Sequence, residues 1–153
     1  MSRELVDRFY SAFAAADGET MAACYRDDIT FEDPAFGVLH GEDARDMWRM
    51  LCGRAKDLTV TTTILDVSET AAKVNWIADY TFSTGRPVRN DIIATMRIED
   101  GLIVDHRDEF DMWKWSRQAL GLPGLLVGWS PRLHRKVRLT TVEGLRKFQS
   151  DKR

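Results

Sequence analysis

Apolar residues return at intervals of three and four from Arg3 to Ala15, where Leu5, Val6, Phe9, Tyr10 and Phe13 fall on one side, so the chain is predicted to begin with an amphipathic helix. Asp17-Gly18 stops it, because glycine accepts the left-handed geometry of a helix end. A short second helix is predicted over Glu19–Tyr25. Ile29-Thr30-Phe31-Glu32-Asp33 then alternates as a strand until Pro34, which has no N–H to give to a ladder. Gly37 and Gly41 bracket a predicted loop. A third helix is expected from about Glu42 to Ala55, with Ala44, Met47, Trp48 and Leu51 along one side.

Beyond Leu58 the period falls to two. Leu58–Val67, Ala71–Thr84, Val88–Glu99 and Leu102–Phe110 are rich in β-branched and aromatic residues and read as four strands, joined by turn residues at Gly85-Arg86-Pro87 and Asp100-Gly101. Asp111 is placed to cap a helix that begins Met112-Trp113-Lys114-Trp115. Helix, helix, strand, helix and a four-strand meander describe an α+β domain. The expected architecture is a cone-like, curved antiparallel sheet with three helices from the N-terminal half enclosing a pocket. Residues 1–121 form this unit. Residues 122–153 are a C-terminal helical extension: an apolar segment, Leu122–Trp129, too short to span a bilayer, then a basic amphipathic helix packed on or beside the domain.

A chain of 153 residues, 44% apolar and 30% charged, suits one domain with a real core. Acids near the N-terminus stand where a signal peptide would carry its apolar run, so a cytoplasmic protein is expected. Cys24 and Cys52 show no metal-ligand or disulfide spacing and are expected to be buried thiols. The formal charge of -2 conceals an uneven distribution. Residues 132–153 hold eight Lys or Arg against Glu143 and Asp151, a net of +6, leaving 14 basic and 22 acidic groups elsewhere, a net of -8. The favoured reading docks this tail on its own acidic body or leaves it solvated, with contact by the basic helix to a membrane surface or an anionic partner as the weaker alternative.

Asp28-Ile29-Thr30-Phe31-Glu32-Asp33-Pro34 after two helices, and Arg107-Asp108-Glu109-Phe110-Asp111 at the last strand, resemble the nuclear transport factor 2-like superfamily. Within it the chain looks like the SnoaL-like branch, with ketosteroid isomerases and limonene-epoxide hydrolases as relatives, over about residues 3–121. The resemblance implies a cone fold and a homodimer paired through the open sheet face. It places Asp33 where a ketosteroid isomerase holds its general base. The isomerase's two oxyanion donors, however, fall at Phe9 and about Ala94, neither of which can donate. Against the epoxide hydrolases, Asp108 matches a catalytic aspartate. Their arginine and second aspartate fall at Asn75 and Ile77, and their water-binding tyrosine and asparagine at Phe31 and Asp33.

Strand alternation supplies a candidate pocket of its own. If Asp108 points inward, so do Val104, His106 and Phe110, and the same logic is taken to turn in Asn75, Ile77, Asp79 and Thr81, Asn90, Ile92, Ala94 and Met96, and Phe31 with Asp33. Asp33, His106 and Asp108 are the expected catalytic groups. Phe31, Asn75, Ile77, Asp79, Asn90, Ile92, Met96 and Phe110 are expected to hold the substrate, a small apolar molecule. Clustered carboxylates in poor hydration raise a pKa, which suits an Asp to act as a base near neutral pH. Trp48, Trp76, Trp113, Trp115 and Trp129 are assigned to core or interface. No metal-ligand array, phosphate loop, nucleophile elbow or nucleic-acid surface is apparent, so no metal, cofactor or nucleic-acid partner is expected. The sequence therefore suggests a cofactor-independent isomerase, cyclase, dehydratase or hydrolase; the alternative is a non-catalytic ligand-binding or dimerisation module.

Overall fold

A computed structural model describes residues 1–152. Helix α1 (Ser2–Ala14) buries Leu5, Val6, Phe9, Tyr10 and Phe13, the residues its spacing marked, and α2 (Gly18–Ala23) is capped by the Asp17 carboxylate. The backbone of α2 lies against α3 (Glu42–Arg54) so closely that a Cβ at Gly18 would stand 2.7 Å from the Arg49 Cα.

Six strands form one sheet in the order β2-β1-β6-β5-β4-β3. They are β1 (Tyr25–Asp33), β2 (Gly37–His40), β3 (Thr59–Val67), β4 (Ala71–Thr81), β5 (Pro87–Glu99) and β6 (Leu102–Glu109). Two expectations need correction. The sheet is mixed rather than antiparallel, because β1 runs parallel to β6. The segment between Gly37 and Gly41 is a strand, not a loop: Gly37–His40 folds back on β1 and pairs Val38 with Glu32. Both follow from α3, which carries the chain across the sheet before the meander starts and leaves the first hairpin to join it at the far edge.

Register breaks within β1, at Ile64/Asp66 in β3 and at Arg97/Ile98 in β5 bend the strands. At the last of these Val104 has no partner, and Ile103 and Val104 are buried side by side. Helices α1 and α3 close the inner face around Phe9, Phe13, Trp48, Trp76, Met96 and Ile103. A second cluster, Val88, Met112, Trp115 and Ala119, packs α4 (Met112–Leu120) on β5.

The extension forms α5 (Leu122–Val127) and α6 (Pro131–Asp151). Helix α6 lies against α3. Leu145 is fully buried, Arg146 pairs with Asp43, and Lys152 and Gln149 reach the buried Asp46. No helix among the described residues is long and apolar enough to cross a membrane.

Candidate active site

His106 and Asp108 are two residues apart on β6, so both project inward, and their tips meet: His106 Nε2 lies 2.8 Å from Asp108 Oδ1. The other ring nitrogen, Nδ1, is 2.7 Å from the Tyr25 hydroxyl. That hydroxyl accepts the Trp48 indole N–H at 2.8 Å, which leaves its own proton free to donate to His106. At the far end the Trp76 indole N–H donates to Asp108 Oδ1 at 3.3 Å. A continuous chain therefore runs Trp48–Tyr25–His106–Asp108–Trp76, drawn from α3, β1, β6 and β4. With Tyr25 donating to Nδ1, Nε2 carries the imidazole proton and gives it to the Asp108 carboxylate.

The surroundings are aromatic. The Phe31 and Phe9 rings meet His106 edge-on at centroid distances of 5.1 and 5.6 Å, and Trp48 stacks over it at 6.2 Å. His106 and Asp108 are 1% and 2% exposed, so side chains fill the space they were expected to line. Hollows lie elsewhere: one of about 550 Å³ over Thr95, Arg97, Asp105 and Arg107 on the outer sheet face, another of about 170 Å³ between α1 and β3.

Asp33 stands at the rim. Its carboxylate accepts the Phe36 N–H at 2.6 Å and so shapes the turn into β2. The last β1–β6 partners are Glu32 and Arg107, so Asp33 and Asp108 each lie one position further along neighbouring parallel strands. Burial pushes the Asp33 carboxyl up to about 7; the Asp108 charge adds to the rise, while the Phe36 and Ala35 N–H groups and the Arg138 guanidinium oppose it. Helix α6 covers this turn. The Thr141 hydroxyl donates to the Ala35 carbonyl, and Arg138 packs against Gly37.

The remaining candidates divide by face. Phe31, Ile92 and Met96 are buried inward, Asn90 is buried on the same face of β5, and Phe110 packs against the core partly exposed. Asn75, Ile77, Asp79 and Thr81 belong to the opposite face and correct the expectation. β4 buries Ala72, Val74, Trp76 and Ala78 instead. Thr81 pairs with Pro87, so even positions of β4 oppose even positions of β5, and Trp76 faces inward beside Ile92. On the outer face, the Asn75 amide donates to the Asp91 carboxylate and the Ile92 carbonyl, Asp79 lies 4.0 Å from Arg89, and the Thr81 hydroxyl donates to Asp57.

Trp48, Trp76 and Tyr10 lie in the core as expected, but the polar roles of Tyr25, Trp48 and Trp76 in the chain, and of Tyr10, were not foreseen. The Tyr10 hydroxyl is buried without a partner, and burial with the nearby Asp108 charge holds its proton well beyond the ordinary range. The signal for Trp76 was present. Even positions of β4 are uniformly apolar, whereas the odd ones include Lys73, Asn75 and Asp79. Among the described residues no three His, Cys, Asp or Glu side chains converge as metal ligands.

Residues 6–106 match the SnoaL-like domain family. Similar solved structures include an LEH-like epoxide hydrolase from M. tuberculosis, 23% identical over 81% of this chain and 93% of that one, with a TM-score of 0.62. A protein provisionally assigned as a polyketide cyclase from Silicibacter sp. is 16% identical over 76% of this chain and 93% of its own, with a TM-score of 0.67. A hypothetical protein with a ketosteroid isomerase-like fold from Catenulispora acidiphila gives 16%, 81%, 97% and 0.67 for the same measures. No curated protein matches by sequence. At these identities the neighbours establish the fold.

Proposed function

The chain belongs to the SnoaL-like domain family, and from that premise we propose a cofactor-independent enzyme that moves a proton on a small, largely apolar molecule. The observation that carries this reading is the buried Trp48–Tyr25–His106–Asp108–Trp76 chain, whose Asp108 lies one strand over from Asp33 and adds its charge to the rise in the Asp33 carboxyl. Burying a carboxylate and an imidazole among aromatic rings is costly, and the same packing could be had with apolar side chains. Asp33 is the acid-base group. With its carboxyl near 7, basic and acidic forms coexist at neutral pH, so it can take a proton from one substrate atom and return it to another with no net change in charge. The Asp108 carboxylate, held by His106 and Trp76, lies beside it, and its charge favours the protonated form of Asp33 during the transfer.

On this reading the substrate meets Asp33 at the rim, beside the turn into β2. Apolar contacts there come from Phe31, Phe36 and Phe110, and Ile92, Met96 and Asn90 line the same inner face deeper in. Neighbours named epoxide hydrolase and polyketide cyclase support a hydrolytic or cyclising reaction of this kind. Incubation with a panel of ketones, epoxides and polyketide-like compounds tests the assignment. Turnover should fall at least about 100-fold in Asp33→Asn and also in Asp108→Asn; wild-type rates in both variants on every substrate would defeat it.

One observation favours a second reading, a binding or dimerisation module without chemistry: the side chains that pack the interior around His106. It predicts a ligand released unchanged in native mass spectrometry and no turnover of any compound. We also infer a homodimer paired through the outer face of β3–β6. A monomer by light scattering at micromolar concentration would refute the pairing.

A further inference from the structure

Helix α5 is packed inside out. The face it presents to α4 is glycine: a Cβ at Gly124 would overlap the Ser116 carbonyl, and one at Gly128 would lie 2.7 Å from the Ser116 Cβ. With the backbone that close, the large side chains turn to water. Leu122, Leu126 and Trp129 are 67%, 61% and 67% exposed, and Leu125 and Val127 are exposed beside them. The arrangement is fixed rather than frayed. The Trp113 indole donates to the Leu125 carbonyl, the Trp129 indole to Leu126, and His134 Nε2 to Gly128. A contiguous apolar surface held out in this way marks a contact site.

Its rim carries one sign of charge. Between Asp111 and Glu143 the chain has Lys114, Arg117, Arg132, Arg135, Lys136 and Arg138, and no acid. Arg132, Arg135 and Lys136 are exposed on the first two turns of α6, within about 8 Å of its start along the axis. Arg117 stacks over Trp113, 4.3 Å from the ring centre.

We propose that this surface attaches the protein reversibly to an anionic lipid bilayer, with α5 and Trp129 in the boundary between headgroups and acyl chains and the cations on lipid phosphates. Two identical tips pressed together would oppose like charges. Another face of a second copy offers no apolar counterpart: outside residues 122–139, the large apolar side chains exposed among the described residues are scattered at Met1, Val38 and Leu65. An anionic bilayer supplies the apolar layer and the negative charge together, and tryptophan partitions to that depth. Among the described residues of the extension no helix is long and apolar enough to cross, and the proposed contact is with one leaflet.

Co-sedimentation of the full chain with phosphatidylcholine vesicles, with and without phosphatidylserine, tests this. Binding is expected only to the anionic vesicles and should weaken with salt. Leu125→Ser/Leu126→Ser/Trp129→Ser should lower the partition at least about tenfold. Arg132→Gln/Arg135→Gln/Lys136→Gln should lower it by about fivefold for each charge removed. All six side chains are exposed and none belongs to the core, so the thermal midpoints should fall only slightly, most where Trp129→Ser removes the indole contact to the Leu126 carbonyl. A chain left in the supernatant with anionic vesicles, or variants that sediment like wild type, would overturn the proposal. So would an apolar variant that instead sheds a bound acidic protein, which would assign the surface to a protein partner.

Discussion

The inside of the cone and the tip at α5 dispose of similar residues in opposite ways. Around His106 the large rings face inward and enclose a polar chain; at α5 the glycines face inward and the leucines face water. The difference shows that apolar character alone does not decide burial. Between α4 and α5 the backbones approach so closely that only glycine fits, and every larger side chain is displaced outward. In the cone the sheet and helices stand far enough apart for tryptophan. The enclosed polar groups then need partners among themselves.

The largest test strikes the interior. His106→Leu leaves the Asp108 carboxylate buried with only the 3.3 Å contact from Trp76. Stability in urea should fall by about 3–5 kcal/mol. Adding Asp108→Leu should recover most of that loss, because an apolar pair of similar volume has no charge to strand. If the double variant is no more stable than the single, the polar chain is not the cause.

A second test uses pH at the boundary between interior and surface. Unfolded, the Asp33 carboxyl loses its proton near 3.8; folded, it keeps it to about 7. The native state thus holds the extra proton throughout that interval, and stability falls as pH rises through it, by no more than about 1.4 kcal/mol per pH unit. Asp33→Asn retains an oxygen for the Phe36 N–H and removes the titration. The variant should be more stable than wild type above pH 7, with the gap closing toward pH 4. Parallel pH profiles of thermal midpoint would show the assignment to be wrong.

Much of this fold was legible because its signals are local. The spacing of Leu5, Phe9 and Phe13, the cap at Asp111 and the Asp100-Gly101 turn each fix an element within a few residues. That His106 and Asp108 share one face of the sheet also followed from alternation. What escaped depends on distant partners. The parallel β1–β6 pairing is set by where α3 delivers the chain, and β2 is too short to declare itself without β1. On β4 a phase counted through a gapless hairpin turned Asn75, Ile77 and Asp79 inward, although Val74 and Trp76 carried the apolar phase. Tyr25 looked like the end of a helix; only the fold brings its hydroxyl to His106, 81 positions away.

A third test closes the gap at the tip. Gly124→Ala introduces a methyl where the Ser116 carbonyl lies, so α5 must lift from α4. The expected cost is about 1–3 kcal/mol, with faster proteolysis between Gly121 and Ser130. An unchanged midpoint and cleavage rate would mean that α5 is not held by this contact.

The smallest effect sharpens the comparison most, because it contrasts two leucines in one extension. Leu145 is fully buried against α3 and the core, whereas Leu126 is 61% exposed. Leu145→Ala removes buried methyl groups and leaves a cavity, so about 2–5 kcal/mol should be lost. Leu126→Ser removes a side chain that water already largely reaches, and its midpoint should correspond to a change within about 0.5 kcal/mol. A midpoint for Leu126→Ser that matches wild type is the informative result. It would mean that a leucine contributing nothing to folding is held rigidly in water, so any constraint on it must come from what it touches outside the chain. A loss at Leu126 approaching that at Leu145 would instead place it in the core in solution and erase the distinction between the two regions.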